Sequence, residues 1–100
     1  MIVACIPAFN EEKTIARVVL SAQKFVDKVI VCDDGSDDMT AQIAQSLGAV
    51  VVRHSSNMGK GATLRTLFRT SLDAGAKVVV TLDGDGQHDA AELAAACDRD

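Results

Sequence analysis

The feature that most constrains how this chain folds is a series of short apolar runs rich in Val and Ile. The runs do not alternate between apolar and polar positions, and polar residues or glycines separate them. They are Ile2 to Ile6, Lys28 to Cys32, Ala49 to Arg53 and Lys77 to Leu82. A strand covered on both faces of a parallel sheet is apolar at consecutive positions. The runs therefore predict the strands of a buried parallel sheet.

The segments between these runs carry apolar residues at the spacing of amphipathic helices. The stripes are Ile15, Val18, Val19, Ala22 and Val26, then Met39, Ile43 and Leu47, then Leu64, Leu67, Phe68 and Leu72. Asp89 and Glu92 have the spacing of a capping box and predict a fourth helix through Leu93 and Cys97.

Capping residues mark where these helices are expected to begin and end. Asn10 is the predicted N-cap of the first helix, with Glu11 and Glu12 in its first turn. Ser36 or Asp37 is the predicted N-cap of the second helix. Glycines in the C′ position are expected to end the second and third helices: Gly48 and Gly75.

Strand and helix patterns thus alternate four times within 100 residues. This order, βαβαβαβα, predicts an α/β fold with a doubly wound, mostly parallel, Rossmann-like sheet and right-handed crossovers. The length allows one domain. Because a small sheet leaves edges that need covering, we expect residues 1–100 to be the amino-terminal part of a larger domain.

Composition excludes several classes of protein. A chain that is 48% hydrophobic and 24% charged is typical of a folded domain. A net charge of −4 without a basic stripe argues against nucleic-acid binding. No apolar run has the length of a membrane span, and no signal peptide follows Met1, so we expect a cytoplasmic location or, for the full-length protein, the cytoplasmic face of a membrane. Cys5, Cys32 and Cys97 are odd in number and widely spaced, which predicts free structural thiols.

Polar residues gather after the carboxyl end of each predicted strand, where open α/β sheets bind their ligands. After the last strand, Asp83 and Asp85 are separated by one glycine. Such carboxylates are the hard oxygen ligands that Mg²⁺ or Mn²⁺ prefers, with water and phosphate oxygens completing the shell. An isolated motif of this kind can also be a solvated acidic turn. An EF-hand is excluded, because His88 replaces its turn glycine and Ala94 its final glutamate.

Two further strand ends carry candidate binding residues. Asp33 and Asp34, adjacent at the end of the second strand, are placed to accept hydrogen bonds from a base or a ribose. Residues 57–61, Asn-Met-Gly-Lys-Gly, precede the third helix, so their backbone N–H groups and Lys60 can face an anion such as a diphosphate. This segment lacks the Ser or Thr of a P-loop and the third glycine of a dinucleotide-binding fingerprint. The histidines are ambiguous: His54 and His88 could be ligands, bases or polar contacts.

Taken together, residues 6–12, 33–36, 57–61 and 83–88 resemble the inverting nucleotide-sugar glycosyltransferases of the GT-A fold, family 2. The most similar branch is that of the polyprenol (dolichyl) phosphate mannosyl- and glucosyltransferases. The resemblance covers nearly the whole chain. It implies that residues 1–100 are the nucleotide-sugar-binding half of such a domain. It also implies a UDP- or GDP-sugar donor and an acceptor that is an alcohol or a lipid phosphate.

The resemblance assigns roles to the residues after the first two strands. Pro7, Phe9 and Glu11 would border the base and the ribose. Asp34, or its neighbour Asp33, would hydrogen-bond the base.

It also assigns the diphosphate and metal site. Asp83 and Asp85 would form the DxD motif that holds Mg²⁺ or Mn²⁺ on the donor diphosphate, and they are the catalytic candidates. Gln87 would be a further metal ligand, and Lys60 would lie near the phosphates. A bound metal would stabilise the departing diphosphate without proton transfer while the acceptor attacks the opposite face.

Two alternatives remain open. A non-catalytic nucleotide-binding fragment of such an enzyme differs from the main hypothesis in activity only. A phosphoacceptor receiver domain has a similar acid pocket, formed here by Asp33, Asp34 and Asp83, but a strand and a helix precede its acid-bearing strand in this chain. The uncovered sheet edge further predicts self-association of the 100 residues.

Overall fold

The computed structural model describes residues 1–84, which form a four-stranded parallel sheet with helices on both faces. The strands are β1 (Ile2–Ala8), β2 (Lys28–Asp33), β3 (Val50–Arg53) and β4 (Val78–Thr81). The helices are α1 (Ile15–Gln23), α2 (Thr40–Ser46) and α3 (Lys60–Asp73). The predicted fourth helix, from Asp89 through Cys97, lies outside the described residues.

Alternate residues of the central strands pack into two separate cores, which is why the strand sequences are continuously apolar. Ala4, Ile6 and Val31 pack against α1 and α2 on one face. Cys5 and Ile30 pack with α3 on the other face. The predicted α/β fold with a doubly wound parallel sheet is confirmed.

The strand order is β3-β2-β1-β4, so the chain reverses direction across the sheet between β1 and β4. The reversal point therefore lies between β1 and β4, and the carboxyl edge beside such a point is the usual ligand position in open α/β sheets. A receiver domain has the order 2-1-3-4-5. The observed order excludes that alternative.

The predicted starts of the first two helices are wrong. α1 begins at Ile15, after Thr14, and has no acidic residue in its first turn. Asn10 instead adopts a φ of 52° and accepts a hydrogen bond from the Asp37 N–H at 2.9 Å. α2 begins at Thr40, and neither predicted cap precedes it directly, since Met39 occupies the N-cap position. For α1 a contact between loops replaces the expected local cap, whereas at α2 the Asp38 side chain accepts the Thr40 N–H at 3.0 Å.

The third predicted apolar stripe is only partly buried. Leu67 is fully buried, whereas Phe68 is 45% exposed and Leu72 is 71% exposed. The C′ glycines are confirmed, since Gly48 and Gly75 follow the C-cap residues of α2 and α3 with positive φ. No helix within residues 1–84 combines the length and the apolar character that crossing a membrane requires.

Candidate functional site

A cavity of about 250 Å³ opens at the carboxyl edge of the sheet, beside the reversal point between β1 and β4. Its walls come from the loops after β1, β2 and β4 and from the start of α3. The lining residues are Pro7, Ala8, Phe9, Glu11, Asp34, Asn57, Gly59, Lys60, Thr63, Asp83 and Gly84. The cavity therefore brings together all of the predicted binding residues within the described range except Asp33.

Asp34 is a buried carboxylate that the chain holds with several donors. Its Oδ1 accepts the Met58 N–H at 2.9 Å and lies 2.8 Å from His54 Nδ1, while its Oδ2 accepts the Gly59 N–H at 2.9 Å. Burial alone would raise the pKa of the Asp34 carboxyl, but these hydrogen bonds and the neighbouring imidazole outweigh burial and lower the pKa below its ordinary value. Asp34 is thus a fixed, ionised acceptor on the cavity wall.

His54 is a contributor to this site that the sequence left ambiguous. Its ring lies between β2 and α3, with Nδ1 against Asp34 and Nε2 at 2.9 Å from Thr66 Oγ1. The register of β2 and β3 explains the position of His54. Arg53 pairs with Asp33 across β2 and β3, and this pairing places His54 beside Asp34.

Asp33 lies outside the cavity, beneath the loop that connects β2 to α2. It is fully buried, and its Oδ1 accepts hydrogen bonds from the backbone N–H and the hydroxyl of Ser36. Its Oδ2 forms an ion pair with Arg53 Nε at 3.5 Å and has no hydrogen-bond partner among the described residues. In this arrangement Asp33 shapes the loop while Asp34 faces the cavity.

The loop after β1 is tied to the loop after β2 by several backbone donors. The Asn10 N–H donates to Ser36 Oγ and the Glu11 N–H to Thr40 Oγ1, both at 2.8 Å. Glu12 in turn accepts the Met39 N–H at 3.0 Å. These bonds hold the wall that carries Pro7, Phe9 and Glu11 in place.

Gly35 makes the approach between two of the loops possible. It has a φ of +79°, and a Cβ at this position would lie 2.7 Å from the Ser56 carbonyl carbon. A side chain would push residues 56–57 away from the β2 loop. Only glycine fits both the conformation and the space.

Asp83 and Lys60 form another part of the cavity wall. Lys60 Nζ lies 3.3 Å from Asp83 Oδ1, and their side chains are 68% and 31% exposed. Thr14 Oγ1 donates a 2.7 Å hydrogen bond to the Gly84 carbonyl. This bond connects the segment after β4 to the segment before α1. Gly59 and Lys60 start α3, whose amino end also borders the cavity and favours negative charge.

The predicted metal ligands lie partly outside the described residues. Asp83 presents a partly exposed carboxylate to the cavity, and such an oxygen donor suits Mg²⁺ or Mn²⁺. Asp85 and Gln87 are beyond residue 84. Within residues 1–84, no group of three or more His, Cys, Asp or Glu side chains is arranged to hold a metal ion.

Cys5 and Cys32 are buried free thiols, as predicted, and Cys97 lies outside the described range. Cys32 Sγ is 3.6 Å from His54 Nε2. Burial first, and then the charges of Asp34 and Asp33, raise the pKa of the Cys32 thiol to about 11, so it stays protonated at neutral pH.

Sequence comparisons identify relatives with known activities. The chain is 34% identical over 106 residues to a UDP-N-acetylglucosamine–dolichyl-phosphate N-acetylglucosaminyltransferase from Methanococcus voltae, with 88% of this chain and 42% of the relative covered. It is 32% identical over 96 residues to a polyprenol monophosphomannose synthase from Mycolicibacterium smegmatis, with 88% and 36% covered. The chain thus spans well under half the length of these curated relatives.

The fold also matches solved structures. Glucosyl-3-phosphoglycerate synthase from Mycobacterium tuberculosis, in complex with Mn²⁺, UDP and glucosyl-3-phosphoglycerate, superimposes with a TM-score of 0.69 at 34% identity. The match covers 84% of this chain and 33% of that chain. The same enzyme has been solved with Mn²⁺, UDP-glucose and phosphoglyceric acid.

The family assignment rests on almost the whole length of the sequence. Residues 3–98 match the family described as Glycosyl transferase family 2. The parallel sheet and the loops that build the cavity lie within this range. The chain belongs to glycosyl transferase family 2.

Proposed function

We propose that the cavity binds the nucleoside diphosphate part of a sugar donor, and that the protein transfers the sugar to an acceptor with inversion. One observation carries the proposal: polar residues from three strand ends and from the amino end of α3 converge on one cavity at the sheet reversal. A nucleoside diphosphate needs both an acceptor for its base and positive charge for its phosphates. The cavity walls carry both.

Different parts of the cavity wall match different parts of such a donor. Asp34, held ionised and fixed, would accept an N–H of the base beside the partly exposed Phe9 and Pro7. Lys60 and the amino end of α3 would face the diphosphate, since both favour negative charge. Glu11 would border the ribose.

We further propose that Mg²⁺ or Mn²⁺ takes part, with Asp83, Asp85 and Gln87 as ligands. The chemistry of Asp83 fits this role, because a partly exposed carboxylate on the cavity wall is a hard oxygen donor. When bound, the metal would supply Lewis-acid stabilisation of the departing diphosphate. The Mn²⁺ and UDP in the structure of the mycobacterial synthase support this proposal.

The proposed acceptor carries a phosphate, with polyprenyl phosphate as the specific candidate. The relatives act on dolichyl phosphate, or are solved with phosphoglyceric acid, according to their descriptions. Well over half of their length lies outside the matched region. We propose that the acceptor is bound there, so that the 100 residues alone bind the donor nucleotide without transferring sugar.

Calorimetry of nucleotide binding tests the donor site. With Mn²⁺ present, the 100-residue chain should bind UDP or GDP, and Asp34→Ala should weaken binding by about 1–3 kcal/mol, the cost of a lost hydrogen bond to a charged group. Asp73→Ala, at the far end of α3, is the matched control and should bind as the wild type does.

Two results would contradict the proposal. A wild-type chain that binds neither nucleotide removes the donor site. Equal losses of nucleotide affinity in Asp34→Ala and in the control would show that the nucleotide does not contact Asp34. Sugar transfer by the purified 100 residues would instead overturn the proposed division between donor and acceptor parts.

A further inference from the structure

We propose that His54 is a positioning residue for nucleotide binding: together with Thr66, it fixes the Asp34 carboxylate so that Oδ2 faces the base. This inference rests on the proposed function of the cavity. His54 does not line that cavity, and its side chain is only 10% exposed. Of the residues that its ring contacts, Asp34 is the one that lines the cavity.

The proton positions on the His54 ring follow from its neighbours. An ionised carboxylate can only accept hydrogen bonds, so the Nδ1 that lies 2.8 Å from Asp34 Oδ1 carries a proton. In the neutral ring, Nε2 is then an acceptor. The Thr66 hydroxyl at 2.9 Å can donate to it and lies nearer than the Cys32 thiol, whose Sγ is 3.6 Å away. The result is a chain of hydrogen bonds from the Thr66 hydroxyl through the imidazole to Asp34.

This chain decides which oxygen of Asp34 remains available. Oδ1 accepts from both His54 and the Met58 N–H, and those two donors use its acceptor capacity. Among residues 1–84, Oδ2 accepts only the Gly59 N–H, which leaves room for one more donor. A ligand N–H would therefore donate a hydrogen bond to Oδ2. The donors on Oδ1 would set the orientation of the carboxylate toward that N–H.

The other two donors to Asp34 are poorly suited to hold it alone. Met58 and Gly59 belong to the turn before α3, and Met58 is an exposed residue. The His54 side chain, by contrast, is only 10% exposed, and both of its ring nitrogens have hydrogen-bond partners. Without the imidazole, the carboxylate could rotate and share its oxygens differently between the turn and the ligand.

A pair of substitutions at His54 separates positioning from structural support. His54→Leu removes the donor, whereas His54→Asn can place an amide N–H where Nδ1 stood. We expect His54→Leu to weaken UDP binding in the presence of Mn²⁺ about tenfold. We expect His54→Asn to recover affinity to within about threefold of the wild type.

Inorganic pyrophosphate with Mn²⁺ is the second probe, because it lacks the base. Positioning through Asp34 predicts that His54→Leu binds pyrophosphate within about twofold of the wild type. Equal loss of UDP and pyrophosphate affinity would mean that His54 only supports the fold, and the positioning role would be overturned. UDP binding by His54→Leu at wild-type affinity would overturn it as well.

Thr66 provides an independent arm should His54→Leu fail to fold. Thr66→Val keeps the shape but removes the hydroxyl, and we expect about a threefold loss of UDP affinity, while Thr66→Ser should match the wild type. Equal affinities for the Val and Ser variants would overturn the proposed chain of hydrogen bonds. Failure of the wild type to bind any nucleotide would instead refute the proposed function.

Discussion

The two aspartates at the end of β2 and the aspartate that follows β4 all lie at the carboxyl ends of parallel strands, yet the chain surrounds them differently. Asp33 and Asp34 are buried and take donors from Ser36, His54 and the turn before α3. The Asp83 side chain is 31% exposed, and one of its partners is Lys60, whose side chain is 68% exposed.

The difference teaches how one strand edge combines a rigid part with an open part. Ordered donors from buried or backbone groups fix a carboxylate and make it part of the fold. An exposed lysine contributes little to stability and can move when a ligand arrives. The end of β2 therefore acts as a fixed acceptor array, and the end of β4 keeps a carboxylate accessible to a ligand.

The largest expected effect on stability comes from Asp33→Ala. The substitution removes both hydrogen bonds from Ser36 to a buried charged group, each worth about 1.5 kcal/mol, so we expect the free energy of unfolding to fall by about 3 kcal/mol. Urea denaturation at pH 7 measures this change. Asp37→Ala removes an exposed carboxylate from the same loop and should change stability by less than about 0.5 kcal/mol.

A decrease in the free energy of unfolding of less than about 1 kcal/mol for Asp33→Ala would contradict the conclusion that the buried aspartate stabilises the fold. It would mean that the loop after β2 keeps its shape without the buried carboxylate. Asp33 and Asp34 would then differ from Asp83 only in the solvent exposure of their side chains.

The next effect is the acid dependence of stability at the β2 end. Hydrogen bonds outweigh burial and lower the pKa of Asp34, and they do the same for Asp38. A depressed folded-state pKa gives stability that is present above the unfolded pKa, near 3.8, and is lost as the pH falls through the folded pKa. Asp34→Asn should therefore be about 1.5 kcal/mol less stable than the wild type at pH 7, and the difference should narrow as the pH falls below about 3.8.

Urea midpoints at a series of pH values from 7 to 3 test this prediction. Asp73→Asn is the control, and its curve should run parallel to that of the wild type. Parallel curves for Asp34→Asn and the wild type would show that ionisation of Asp34 adds nothing to the folded state.

The sequence predicts the sheet well because buried strands have a local signature. Continuous Val and Ile runs mark the strands, and the strand-end rule then groups Pro7, Asp34 and Asp83. The ends of the runs differ by a residue or two. β1 continues to Ala8, past the predicted Ile6, because Pro7 and Ala8 pair with β2.

Contacts between distant loops account for what the sequence did not predict. The local sequence predicts Asn10 as a helix cap, but its side chain instead accepts a hydrogen bond from the Asp37 N–H, 27 residues away. His54 gains its role from Asp34, 20 residues earlier on the neighbouring strand end. A helix stripe likewise predicts burial only where a second layer exists, and among the described residues Leu72 remains largely exposed.

The smallest expected effect on stability belongs to Asp83→Asn, which tests the open side of the comparison. Because the Asp83 side chain is partly exposed and asparagine has the same shape, the free energy of unfolding should change by less than about 1 kcal/mol. UDP affinity with Mn²⁺ should nevertheless fall at least about tenfold, since a carboxylate oxygen is a better metal ligand than an amide oxygen. With EDTA in place of Mn²⁺, the variant should bind UDP at least as tightly as the wild type, because the lost charge repelled the diphosphate and occupied Lys60.

The variant should thus bind UDP more weakly than the wild type in Mn²⁺ but at least as tightly in EDTA. A purely structural role for Asp83 would instead lower UDP affinity in both conditions. Lys60→Met is the matched control: it removes the cation and should weaken UDP binding in both conditions. A stability loss above about 2 kcal/mol for Asp83→Asn would make the end of β4 as structural as the end of β2. An unchanged affinity in Mn²⁺ would remove Asp83 from the proposed metal ligands while leaving the contacts of Asp34 untouched.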